Sequence, residues 1–108
     1  MLRIIACAAL CGFSLPIVVA MASGHMVVID QIDRMFDRQA VSVTVGDTLR
    51  FTNRDEFLHQ IYVETDGFSF DSDEQAPGEV IDVTFPRQGD YEVRCGIHPR
   101  MSLAVSVE

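Results

Sequence analysis

From Ala40 onward the chain alternates apolar and polar side chains in short runs, and that period of two leaves little room for any fold but a β one. In AVSVTV, Val41, Val43 and Val45 fall on one face and Ser42 and Thr44 on the other. Gly46-Asp47 is a turn signal, and TLRFTN then places Leu49 and Phe51 together, so the two runs predict a hairpin or a sandwich corner. Ile81, Val83 and Phe85 share a face before Pro86 and Gly89 end that run. Tyr91, Val93 and Cys95 point inward while Glu92 and Arg94 point out, and Leu103, Val105 and Val107 repeat the pattern at the C-terminus. An earlier strand is expected over Met26–Asp33 and a short one over His59–Val63. Residues 66–79 carry five acidic side chains with Gly and Pro and read as a long surface excursion; their carboxylates do not have the spacing of an EF-hand calcium loop. With no amphipathic helix or internal repeat, the pattern predicts an all-β fold, an antiparallel Greek-key β-sandwich.

Residues 1–22 have the composition of an export signal. Arg3 supplies a positive start, Ile4–Leu10 and Leu15–Ala20 an apolar stretch, and Ala20-Met21-Ala22 an A-x-A-like cleavage site. Gly12, Ser14 and Pro16 interrupt the stretch, which is shorter than the roughly 20 apolar residues of a spanning helix. The expected organisation is a signal peptide over 1–22 and one domain over 23–108, released in the periplasm with no stable membrane insertion. Cys7 and Cys11 leave with the leader, so the domain keeps Cys95 alone and makes no internal disulfide. A single thiol in an oxidising compartment is either a buried inert residue or a metal ligand.

The chain carries a formal charge of −8, one unit more negative without Arg3. Nucleic acid demands a basic face, so that class is excluded. Electrostatic attraction to basic partners is expected at long range, with Arg54 and Arg100 suggesting a local acidic contact.

The chemistry-bearing run is Cys95-Gly96-Ile97-His98-Pro99-Arg100-Met101, with His59 upstream. Taken singly, each residue has a duller reading: His59 as a strand cap, Met101 as core filler, Cys95 as a small buried hydrophobe. Together, a thiol, two imidazoles and a thioether form the set that soft sulfur and imidazole offer to copper, a trigonal His₂Cys site with a long axial Met. Zinc shares Cys and His but rarely takes Met. Cys95 ends one strand and Leu103 begins the next, so the intervening loop turns back on itself and converges its ligands, while His59 arrives from another strand. Such a site needs no substrate pocket or general base, which points to a carrier of single electrons rather than an enzyme.

VTVGDTLRFTNRDEFLH, PGEVIDVTFPRQGDYEVRC and CGIHPRM resemble the cupredoxins, type 1 blue copper proteins, and within them the amicyanin and plastocyanin group, amicyanin above all for its short CxxHPxM spacing. The resemblance implies one type 1 copper ion held by His59, Cys95 and His98 with Met101 axial, and an Asn53 that ties the upstream loop to the Cys95 loop. It implies electron exit through His98, ringed by an apolar docking surface of Phe57, Leu58, Ile97 and Pro99. Ile97 stands where a proline often precedes this histidine, and Arg100 puts a charge where an apolar residue is usual. The partners implied are redox proteins such as a dehydrogenase and a c-type cytochrome, met by a monomer in transient complexes.

Cleavage after Ala22 would start the mature chain at Ser23-Gly24-His25, whose amine, two amides and His25 imidazole form a possible N-terminal square-planar Cu(II) site. Three functional classes follow from the residues: a periplasmic electron shuttle, a copper carrier or chaperone with similar ligands, and a non-metal binding module on the same sandwich.

Overall fold

The computed structural model describes residues 12–16 and 24–108; the leader expected over 1–22, with Cys7 and Cys11, otherwise lies outside the described residues. Ten strands make up the described fold: β1 (Met26–Ile29), β2 (Gln31–Ile32), β3 (Met35–Phe36), β4 (Ala40–Val43), β5 (Thr48–Phe51), β6 (His59–Thr65), β7 (Phe68–Gln75), β8 (Ile81–Thr84), β9 (Gly89–Arg94) and β10 (Ser102–Val107). No helix among the described residues is long and apolar enough to cross a membrane. The strands form a three-stranded sheet in the order β1-β5-β8, a five-stranded sheet in the order β4-β10-β9-β6-β7 and a small β2-β3 ribbon. Alternation places Leu49, Phe51 and Val83 from the first sheet, and Ile61, Val63, Val93, Leu103 and Val105 from the second, in one buried core.

The all-β reading holds, and four details differ from the sequence expectation. Of the two forms expected for the runs around Gly46 the structure has the sandwich corner, since β4 and β5 lie in different sheets, and the first difference is at its Val45. Asp47 makes that corner: its carboxylate accepts the amides of Thr44 and His25 at 2.8 Å each, and Gly46 takes a φ of 93°. Val45 consequently turns outward instead of continuing the face of Val41 and Val43. Two pairings, β1 with β5 and β4 with β10, are parallel, because the intervening strands cross between sheets before the chain returns. The strand expected over Met26–Asp33 breaks at Asp30, and its second half folds into the β2-β3 ribbon around Asp33 and Arg34, both with positive φ (54° and 58°), as a two-residue primed hairpin turn requires.

The fourth difference is a correction: the acidic stretch 66–79 is largely strand. β7 pairs antiparallel with β6 across the two-residue turn Asp66-Gly67, with Gly67 at a φ of 83°. Phe68 and Phe70 lean on the core, and the Phe68 ring meets Phe85 and Tyr91 edge-on at 5.5 and 5.9 Å. Asp71, Asp73 and Glu74 belong to an edge strand, where charge blocks pairing with another chain.

Candidate metal centre

Three side chains from two stretches of chain converge at one end of the sandwich. His59 opens β6 and Cys95 directly follows β9, each with 0% of its surface exposed, while His98 is half-buried on the loop to β10. The inward alternation of Tyr91 and Val93 carries Cys95 to the core side, as its spacing predicts. The loop then tightens: the Met101 amide donates to the His98 carbonyl at 2.9 Å, and Met101 is buried beneath it. One ligand atom from each of His59, Cys95 and His98 lies within 4.8 Å of the others. Cys95 Sγ is 3.7 Å from His59 Nδ1 and 3.9 Å from His98 Nδ1. An ion bonded to thiolate at about 2.3 Å and to imidazole at about 2.0 Å, about 120° apart, separates sulfur from nitrogen by about 3.7 Å. Both sulfur–nitrogen separations are therefore close to what a trigonal metal ion needs.

The protonation of His59 follows from its second nitrogen. Nε2 lies 2.7 Å from Asp55 Oδ2, and a carboxylate only accepts, so Nε2 carries a proton and Nδ1 is the nitrogen left facing Cys95 as the metal donor. Asp55 also accepts the amides of Asp33 at 2.7 Å and Arg34 at 3.1 Å. Burial pushes its carboxyl up, yet the His59 ring and those two amides outweigh it and hold Asp55 below the ordinary carboxylate range. At His98, burial and then the neighbouring His59 and Arg34 lower the imidazole's basicity, with Asp55 opposing them. A neutral ring is the form that binds metal.

Sequence reasoning missed Asp55. A carboxylate four residues before a candidate ligand was the available signal, because ligating histidines commonly donate their other N–H to such a group. It also missed Arg34, whose guanidinium lies 4.6 Å over the Phe57 ring and which arrives from the β2-β3 turn, remote in sequence from every ligand.

Asn53 differs from the role its resemblance implied. Its side chain donates to the carbonyls of Phe57 at 2.9 Å and Gln75 at 3.1 Å and accepts the Asp55 amide at 3.0 Å, so it knits the upstream loop to β7 rather than to the Cys95 loop. Below it, Gln75 donates to the Phe51 carbonyl at 3.0 Å and accepts from Gln31 at 2.7 Å. That buried amide network fixes the loop presenting Asp55 and His59.

Of the expected docking residues, Leu58 and Ile97 are 38% and 42% exposed, and Pro99 and Arg100 are exposed. Phe57 is half-buried, its ring centroid 5.4 Å from His59 and 5.2 Å from His98, and packs against the ligands themselves. His25 sits at the corner far along the chain from this centre. Its carbonyl accepts the Thr48 amide at 2.9 Å and its own amide is donated to Asp47, so a square-planar site using that nitrogen must break a corner hydrogen bond.

A family model described as copper binding proteins, plastocyanin/azurin family, matches residues 23–108. No curated protein matches the chain. Among solved structures, a reduced tyrosine-for-tryptophan variant of amicyanin is 26% identical with a TM-score of 0.70, covering 82% of this chain and 87% of that one. An oxidised alanine-for-proline variant of amicyanin gives the same identity, TM-score and coverages. The copper-containing nitrite reductase NirK from Thermus scotoductus SA-01 is 26% identical with a TM-score of 0.68 over 76% of this chain, which spans only 22% of the reductase.

Proposed function

Because this chain belongs to the plastocyanin/azurin family of copper-binding proteins, we propose that it carries single electrons between redox proteins in the periplasm, using one type 1 copper ion. His59, Cys95 and His98 are the three strong ligands of this reading and Met101 the axial one. The observation that carries it is the approach of both imidazole Nδ1 atoms to one buried sulfur, at 3.7 and 3.9 Å. Copper in such a donor set supplies a one-electron Cu(I)/Cu(II) couple.

The protein's part is to hold the donors and control access. Asp55 locks the His59 tautomer, and the Gln31–Gln75–Asn53 network keeps its loop from yielding. Phe57 packs on both imidazoles and the core side of β9 buries the sulfur, while the half-buried His98 alone of the three strong ligands reaches the surface. An electron exchanged there with a bound ion would have one imidazole to cross, and Ile97 and Pro99 beside it, with the exposed Leu58, would give a partner an apolar seat. Amicyanin, similar over most of this domain, has been captured both oxidised and reduced, which favours a redox role over metal delivery.

Copper loading followed by an absorption spectrum and voltammetry tests the reading. An intense blue thiolate band, reversible one-electron redox and saturation at one equivalent are expected, with Cys95→Ser abolishing the colour. Rapid loss of copper to a chelator would assign a copper carrier or chaperone instead.

A further inference from the structure

Four of the seven arginines beyond residue 25 are paired with carboxylates: Arg38 with Asp37, Arg50 with Asp82, Arg54 with Asp30 and Arg94 with Glu92. Arg87 donates to the Gly67 carbonyl. Among the described residues, Arg34 and Arg100 have no carboxylate partner, and both lie at the metal-binding end. They line a shallow hollow of about 370 Å³ with Ile97, His98 and Pro99, and both also line a neighbouring hollow of about 620 Å³ that runs toward Met35 and Ser102. No carboxylate lines either one. Arg54, expected from the sequence to provide the local positive charge, is instead tied to Asp30 at 3.4 Å.

Arg34 is held in place rather than free to wander. Its backbone sits in the left-handed region at the tip of the β2-β3 ribbon, its amide is donated to Asp55, and its guanidinium rests on the Phe57 ring. A cation stacked on an aromatic face keeps its outer N–H groups available for a carboxylate. Ile32 and Met35, on either side of the Asp33-Arg34 turn, are both exposed, and Met35 lines the larger hollow with Arg34 and Arg100.

We propose that Arg34 and Arg100 form a two-pronged docking site for the acidic rim of a redox partner, seating exposed carboxylates on both sides of His98. The inference rests on the electron-carrier reading for its purpose, and on charge complementarity for its partner. It runs against the chain's net charge of −8, which favours basic proteins. Acids also stand at this end, with Asp33 beside Arg34, Glu56 beside Phe57 and Glu74 opposite Gln60, but none of them lines either hollow; charges farther than about 8 Å are attenuated at physiological ionic strength, while charges in contact are not. Overall charge governs the approach of a partner, and the guanidinium pair governs the register in which it settles.

The test titrates a cytochrome c whose haem edge is ringed by lysines, and the same cytochrome with those lysines succinylated to carboxylates, into the isotope-labelled Cu(I) protein. Amide shifts are followed by NMR. The succinylated form is expected to move the signals of Arg34, Ile97 and Arg100, with affinity falling at least tenfold in Arg34→Gln/Arg100→Gln and markedly at high salt. Docking of the lysine-ringed form at this end, or site-end shifts indifferent to salt and to both substitutions, would overturn the proposal. The shifts report binding whether or not an electron moves, and the same titration of the metal-free protein separates a failed docking site from a failed copper centre.

Discussion

At the scale of single residues, the centre depends on a group that is not itself a ligand. Asp55 fixes which nitrogen of His59 carries the proton, and removing such a partner commonly lowers metal affinity by roughly 10–100-fold. Asp55→Ala is therefore expected to weaken copper binding by about that factor in a chelator competition, while the blue band, which needs only the thiolate bond, persists at saturating copper. Unchanged affinity would show that the His59 orientation is set elsewhere. Met101→Leu removes the thioether proposed as the fourth donor but none of the three strong donors. It is expected to shift the reduction potential while leaving most of the colour, as voltammetry beside an absorption spectrum will read.

At the scale of elements, two buried rings hold the sandwich in the shape that brings β6 and β9 together. Phe51 is fully buried on β5 with the Phe36 ring 5.8 Å away, so Phe51→Ala is expected to cost about 3–5 kcal/mol in denaturant unfolding. The Tyr91 hydroxyl donates to the Arg87 carbonyl at 2.8 Å and ties the start of β9 to the turn before it. Tyr91→Phe keeps the ring and loses the bond, an expected cost of about 1 kcal/mol. A loss much larger than that would mean the hydroxyl organises more of the turn than one carbonyl.

These elements also show what a linear reading reaches. The faces of Leu49 and Phe51, of Tyr91, Val93 and Cys95, and of Leu103, Val105 and Val107 are legible because alternation is a local property of a strand. The ligand run from Cys95 to Met101 is legible because three donors share one loop. β7 was hidden because its five-acid neighbourhood imitates a loop, although Asp66-Gly67 before the alternating Phe68 and Phe70 was a hairpin signal. Asp55 had a spacing that pointed to His59. Arg34 had none: it reaches the centre only because the β2-β3 ribbon folds across the end of the sandwich, and the buried Gln31–Gln75 bond likewise joins residues 44 apart. Contacts of that kind are properties of topology, not of any window of sequence.

At the scale of the whole molecule, acid is expected to unfold the protein through a small set of carboxylates. The amides of Thr44 and then His25 hold Asp47 below the ordinary carboxylate range. Hydrogen bonding to Arg38 does the same for Asp37, to Arg50 for Asp82, and to Gln60 for Asp71. A carboxyl whose folded pKa lies below its unfolded value stabilises the fold above about pH 4 and loses that contribution as pH falls through the lowered value. The melting temperature should therefore stay level in its dependence on these groups near neutrality and drop below about pH 4. Asp47→Asn, which loses the charge at the β4-β5 corner, should melt lower at neutral pH and show a shallower acid drop; an acid profile identical to that of the native chain would remove Asp47 from this account.

The claim that everything else serves is that His59, Cys95 and His98 close around one metal ion. X-ray absorption at the copper edge of the protein loaded with one equivalent addresses it directly. The expected result is a single copper site with one short sulfur and two imidazole nitrogens, the sulfur lost in Cys95→Ser and one imidazole lost in His59→Ala. A copper signal of nitrogen and oxygen alone, unaltered by Cys95→Ser and abolished by His25→Ala, would place the metal at the N-terminus and contradict the account.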